Sequence, residues 1–389
     1  VSIGIKKYAY LDSVRGIAIL LVLLIHTEGL RTAALSPFVG MLQTRIGQLG
    51  VQLFYLASAL TLFLSLQQRS GQEIAPKLDF FLRRFFRIAP LYWLAIAYYL
   101  WQDGFGARHW LGSQPSITLA NVLGNFTFIH GFNPYWINSV VGGGWSIGIE
   151  VTFYLSVPFL YTLYSTSRDR LRTLQVLFLG SLALAFVLRY VLMLHPLIAD
   201  AALWGNYLYF YLPAQFPVFV LGFIAFHKIN SNEALADKQS VLGLGALALA
   251  DLLLRRTSDQ YLVGLHVFVS AGFAVGIVLL QRGRLTFLSN RFLGYVGRRS
   301  YSLYLTHTAA IYALQHWAVV AWTSRLTPSP LAQMGLGYLL LFGSALPLSI
   351  ATYWCVERPG IALGQRVVSA LEKRRAARQA LASESPVSA

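Results

Sequence analysis

Asp12-Ser13-Val14-Arg15-Gly16 leads into nine apolar residues, Ile17 to Ile25, and these run straight into His26. Arg15 and His26 stand eleven positions apart. On a helix that separation is a rotation of about 1100°, about 20° after whole turns, with a rise of about 16 Å. The arginine at the membrane edge and the histidine deep in the bilayer therefore share one face. Ionisable side chains inside membrane helices are costly and tend to line a functional cavity.

The rest of the chain fits that beginning. Of its 389 residues 56% are hydrophobic and only 12% charged, where an ordinary soluble domain carries about 25% charged residues. Long apolar runs recur from end to end, so the expected class is an all-α polytopic membrane protein, not a barrel of short alternating strands. The net charge of +16 does not point to nucleic acid, because the arginines cluster between hydrophobic runs as the positive-inside bias requires. A single cysteine, Cys355, excludes an internal disulfide framework and a cysteine metal cluster. Lys6 and Lys7 precede a run that is long and contains His26, which reads as a retained first span and not as a cleaved signal.

Ten spans are expected, near 14–31, 47–66, 88–103, 144–164, 174–194, 207–227, 240–255, 262–281, 301–322 and 335–356. They would surround a polar intramembrane cavity. One set of alternate loops holds Arg69, Arg83, Arg84, Arg87, Arg168, Arg170, Arg172, Arg298 and a basic tail; the other holds few basic residues. That asymmetry predicts both termini in the cytoplasm and a multi-pass protein of the cell's inner membrane. Residues 1–360 form the expected transmembrane domain, and 361–389 a basic cytoplasmic tail, partly helical or disordered, facing membrane lipids. The long connection 104–143 is rich in aromatic, Asn and Gly residues, as expected of a lid or binding segment.

With alternating spans, His26 and Glu150 fall at similar depth in the outer half, and His307 lies about 9 Å along the helix from Tyr301. Arg84 and Arg87 stand one turn apart at the cytoplasmic mouth. Arginines there can hold a polyphosphate, and a histidine can take a proton from a hydroxyl. Glu150 can fix the imidazole tautomer or stabilise the imidazolium. Arg15 or a tyrosine hydroxyl can stabilise an oxyanion. The arrangement suits two reactants arriving from opposite sides. A proton-coupled transporter of a glycan precursor or small molecule would also use buried His and Glu, but no internal repeat is visible.

Five short patterns then point to a family. Arg15, ten residues, His26; Arg84-x-x-Arg87 before Ile88-x-Pro90-x-Tyr92-Trp93; Trp145-Ser146-x-x-x-Glu150; Ser300-Tyr301-x-x-Tyr304-Leu305-x-His307; and Glu357-x-Pro359 occur in order. On these, over about residues 8–360, the chain resembles the membrane-bound acyltransferase 3 family, whose members O-acylate glycans and some small molecules. One departure is Ala59, which follows Ser58 where the family usually has Gly. Some relatives carry an appended extracytoplasmic domain; here a stand-alone acyltransferase domain is expected.

The resemblance implies transfer of an acyl group, most often acetyl, from cytoplasmic acyl-CoA to a hydroxyl of a glycan or glycolipid. No metal or nucleic acid is expected, and the sequence does not fix the oligomeric state. His26 would be the catalytic base, working with Arg15, Glu150 and His307. Arg84, Arg87, Tyr301 and Tyr304 would bind acyl-CoA. From their place on or beside the long connection, Tyr135, Trp136 and Trp145 are the expected acceptor contacts, and the rings of Tyr135 and Trp136 can stack on a sugar face. Direct transfer and a two-step route through an acyl-histidine both remain open.

Overall fold

The computed structural model describes residues 8–231 and 265–384. Among the described residues the chain is helical throughout. Its long helices are α1 (Ala9–His26), α2 (Pro37–Arg69), α3 (Pro76–Asp103), α5 (Gly144–Thr166) and α6 (Arg170–Leu194). A short α4 (Leu119–Phe126) lies within the 104–143 connection. Then follow α7 (Ala201–Phe210), α8 (Leu212–Asn230), α9 (Leu265–Gln281), α10 (Arg291–Gly297), α11 (Ser300–His316), α12 (Val319–Leu326) and α13 (Pro330–Thr352). A π-helical turn at Tyr353–Glu357 leads into α14 (Arg358–Glu384).

Among the described residues, six stretches are long and apolar enough to cross a membrane: Ala9–Leu30, Pro37–Arg69, Gly144–Thr166, Arg170–Leu194, Ala201–Asn230 and Pro330–Leu381. The chain is a multi-pass helical membrane protein. Nine of the ten expected spans fall largely on helix, whereas 240–255 lies outside the described residues. The helices α3 and α11 are not among the six, although they run through the bundle. They carry Arg84, Arg87, Tyr301 and His307, so part of the site is built on helices outside the long apolar set. The opposite case is α6, which leaves Val176, Leu179, Leu184, Val187 and Val191 exposed as a lipid-facing surface.

Helix directions follow from the side-chain contacts. Arg15 reaches Thr61, and Gln43 reaches Thr27, so α1 and α2 are antiparallel. Pairs Gln52–Gln215, Tyr55–Phe219 and Phe63–Phe226 run in step, as do Tyr55–Ser146, Ser58–Glu150 and Phe63–Tyr161. Thus α2, α5 and α8 are neighbours pointing the same way. Their seam is aromatic: Phe63 stacks on Phe223 and Phe153 on Phe219, each at 3.7 Å between ring centres.

The Ala59 departure finds its physical answer in this seam. A Cβ placed on Gly222 of α8 would lie 2.7 Å from the Ala59 methyl and 2.9 Å from the Leu56 carbonyl oxygen. The partner helix has glycine at the contact, so the close approach is kept with alanine at 59. Gly222→Ala is expected to overpack the contact and destabilise by about 1–3 kcal/mol. The swap Ala59→Gly with Gly222→Ala should recover part of it. Thermal unfolding of the detergent-solubilised variants checks this, and an unchanged melting temperature for Gly222→Ala would refute it.

Loops gather at two ends. At the basic end, α14 docks on α3: Glu372 accepts hydrogen bonds from the Ile74 and Ala75 backbone at 2.9 and 3.3 Å. There Arg375 grips the fully buried Asp79 carboxylate at 2.9 and 3.0 Å. The residues expected as a partly helical tail therefore brace the helix that carries Arg84 and Arg87. At the other end the 104–143 segment is built, not loose. Arg108 donates to the carbonyls of Tyr99, Gly104, Ser139 and Val140. Beneath it Tyr92, Asn125, Asn121 and Ser139 form a buried hydrogen-bonded chain, which Tyr92 extends to His130.

Candidate active site

Arg15, Arg84 and Arg87 converge on one interior cavity whose other walls include Ser58, Ser146, Glu150, Tyr154, Tyr301 and Tyr304. Its water-accessible room is about 80 Å³. Each arginine reaches it differently. Arg15 donates to Thr61 Oγ1 at 2.7 Å and lies 3.6 Å from Asp12, which also pairs with Arg298 at 3.7 Å. Arg84 lies over the rings of Phe80 and Tyr154, at 5.8 and 5.9 Å from their centres. Neither Arg84 nor Arg87 forms a hydrogen bond or ion pair with another described side chain, so both guanidinium groups keep their donors for the cavity.

Glu150 is the carboxylate facing these cations. One of its oxygens accepts from Ser58, in a short hydrogen bond, and from Tyr154 at 2.7 Å. Tyr154 is four residues on, one helical turn along α5, so the helix supplies its own carboxylate clamp. A second carboxylate, Glu357, is buried in the π-helical turn and accepts from Ser302 at 2.6 Å.

Tyr304 forms the wall between this cavity and a histidine pair. Its hydroxyl lies 2.8 Å from Ser146 Oγ and donates to the Gly143 carbonyl at 2.9 Å. Gly143 precedes α5 at φ 77°, a left-handed conformation that brings its carbonyl to the tyrosine. On the other side of Tyr304, its ring is 5.6 Å from that of His307, and the His307 ring is 4.8 Å from that of His26. His307 Nδ1 contacts the Tyr304 carbonyl at 2.6 Å, so Nδ1 carries the proton and Nε2 is an acceptor. Nε2 has no partner among the described residues.

The structure thus brings together Arg15, Arg84, Arg87, Glu150, Tyr301 and Tyr304 in one cavity, with His26 and His307 adjacent to it but not on its wall. The ring neighbour of His26 is His307; Glu150 is committed to Ser58 and Tyr154. Tyr301 donates to the Ile88 carbonyl at 2.7 Å, which ties α11 to α3. Of the three aromatic residues expected to meet the acceptor, Trp145 is stacked on Phe210 at 4.2 Å and adjoins the cavity through Ser146. Trp136 covers Gly124, and Tyr135 stands beside Gly112, both on the far-end segment. Arg189 donates to the Leu208 carbonyl at 3.2 Å, away from the cavity.

Sequence reasoning missed Ser58, Tyr154 and the His130 cluster. Tyr154 carried a usable signal in its one-turn spacing from Glu150. His130 carried none, because its partners Tyr92 and Gly144 lie on other elements.

Comparison with known proteins gives the family. A family model described as an acyltransferase domain matches residues 8–354. A curated relative, the exopolysaccharide production protein ExoZ of Rhizobium meliloti, is 28% identical over 348 residues, which cover 85% of this chain and 95% of the relative. No solved structure matches. The match takes in every residue of the cavity and the histidine pair, and the chain belongs to the acyltransferase 3 family.

Proposed function

We propose that this membrane acyltransferase moves a short acyl group, acetyl by preference, from cytoplasmic acyl-CoA to a hydroxyl of an exported or lipid-linked glycan. The basic end faces the cytoplasm on this reading, as the positive-inside bias requires. The observation that carries the proposal is the pair Arg84 and Arg87, which bear unpaired guanidinium groups on a cavity whose far wall is Tyr304, the neighbour of two histidines. The name of the R. meliloti relative supports a polysaccharide as the acceptor class.

In this scheme the arginines hold the phosphates of acyl-CoA by charge-assisted hydrogen bonds. The acceptor hydroxyl gives its proton to His26 as its oxygen attacks the thioester carbonyl. His307, whose ring lies 4.8 Å from that of His26, packs against the base and holds its ring in place. Arg15 or the Tyr304 hydroxyl stabilises the oxyanion. The C–S bond then breaks, and the proton held by His26 passes to the departing thiolate. Glu150 balances the cationic cavity when phosphate is absent.

Purified protein mixed with radiolabelled acetyl-CoA and a glycan acceptor tests this directly. CoA release should depend on the acceptor and be matched by label in the glycan as a base-labile ester. No acceptor-dependent release from acetyl-CoA, with release from another donor class, would overturn the proposal.

A further inference from the structure

A second cleft, at the far end, is lined by Arg108, His109, Gly112, Asp200, Leu203 and Asn206. Its volume of about 400 Å³ lies within the roughly 300–1,000 Å³ common for ligand sites. It forms where the segment after α3 meets the start of α7.

The polar groups in it are arranged by the fold and left with spare capacity. Asp200 caps α7 by accepting from the Leu203 backbone at 2.9 Å with Oδ1, which leaves Oδ2 to the cleft. The side chains of Asn206 and His109 hydrogen-bond to no other described residue. Arg108 is spent on four backbone carbonyls and lies 3.5 Å from Asp103, so the lining offers no free cation. Gly112 has φ 55°, and a Cβ there would lie 3.2 Å from Asp200 Oδ2, so its lack of a side chain keeps the cleft open. Tyr135 stands at the same place, 3.5 Å from that Cβ position.

The cleft is joined to the reaction cavity by a row of rings. Beside His109, Trp110 packs on Phe210 at 5.6 Å; Phe210 stacks on Trp145 at 4.2 Å; Trp145 meets Tyr55 edge-on at 6.4 Å. Tyr55 and Ser146, next to Trp145, line the cavity.

We infer that this cleft is a glycan subsite, which holds neutral sugar residues of the acceptor while a neighbouring hydroxyl is acylated; the inference rests on the acyl-transfer reading above. A carboxylate oxygen, a carboxamide and an imidazole match the vicinal hydroxyls of a hexose, and Leu203 with the Tyr135 edge beside Gly112 supplies apolar surface for its C–H groups. An unbalanced Asp200 repels a phosphate or uronate, which separates this ligand from the acyl donor.

The test uses the full chain in detergent, with cellotetraose, β-galactotetraose and tetragalacturonate as probes, followed by equilibrium dialysis without any acyl donor. Asp200→Asn keeps the helix cap and removes the charge; Asn206→Ala removes the amide. Each is expected to weaken binding of a neutral tetrasaccharide about tenfold, which corresponds to one lost hydrogen bond. Coenzyme A binding should stay unchanged. Neutral tetrasaccharide binding that ignores both substitutions, absence of such binding, or a preference for tetragalacturonate would overturn the subsite. Because dialysis needs no chemistry, a protein that binds the sugars here yet never consumes acetyl-CoA would sink the acyl-transfer reading alone. Acyl transfer to the tetrasaccharides that is indifferent to both substitutions would sink only the subsite.

Discussion

Replacing His26 by alanine is expected to lower kcat for acyl transfer about 1,000-fold, within the ~10²–10⁴ range of a lost general base, with little change in coenzyme A affinity. That loss equals about 4 kcal/mol of transition-state stabilisation. His26 sits at the last turn of α1 and is half-buried, so removing its ring leaves the helix packing of α1 on α2 intact. His307→Ala should cost less, about tenfold, because it acts on the His26 ring and not on the acceptor. Measured turnover of His26→Ala within tenfold of the parent would remove the histidine from the chemistry.

The double substitution Arg84→Ala with Arg87→Ala is expected to weaken coenzyme A binding about 100-fold or more. Each charge-assisted hydrogen bond contributes about 1.5–3 kcal/mol, and neither side chain hydrogen-bonds or ion-pairs with another described side chain, so the loss falls mainly on the donor. Lysine at both positions should recover only part, since an ammonium keeps the charge and loses the planar fork. Glycan affinity should hold steady. Calorimetric titration with coenzyme A checks this, and an affinity unchanged in the double variant would move the donor site elsewhere.

Much of the site was legible because a membrane makes polar residues conspicuous. Arg15, Arg84, Arg87 and Glu150 stood out as charges within or at the mouth of apolar runs, and all four line the same cavity. Helix alternation matched His26 with Glu150 by depth, whereas the ring that meets His26 is that of His307, because depth alone does not say which faces of neighbouring helices turn together. Helix ends were less readable. The predicted span 47–66 is the apolar part of a helix that begins at Pro37, whose first turns carry Gln43 and Arg45 and so look like a loop. The span predicted at 207–227 is divided at Tyr211, where Pro213 opens a new helix. The far-end segment hid its order entirely, since Arg108 and Asn125 act through backbone and side-chain partners that no local pattern announces. Tyr304 shows the same limit. Its place in a motif marked it, yet its role as the wall between arginines and histidines depends on the Gly143 carbonyl, 161 residues away.

The like-directed trio α2, α5 and α8 has a consequence for biogenesis. Helices that point the same way cannot be joined by a short turn, so their partners are made late. Ser58 waits 92 residues for Glu150, and Gln52 waits 163 for Gln215. At about 5–20 residues per second, the ribosome leaves those polar groups without their mates for several seconds and then for longer still. During that interval a translocon or chaperone must shelter α2, and nonsense fragments that stop short of α8 should be degraded instead of stored in the bilayer.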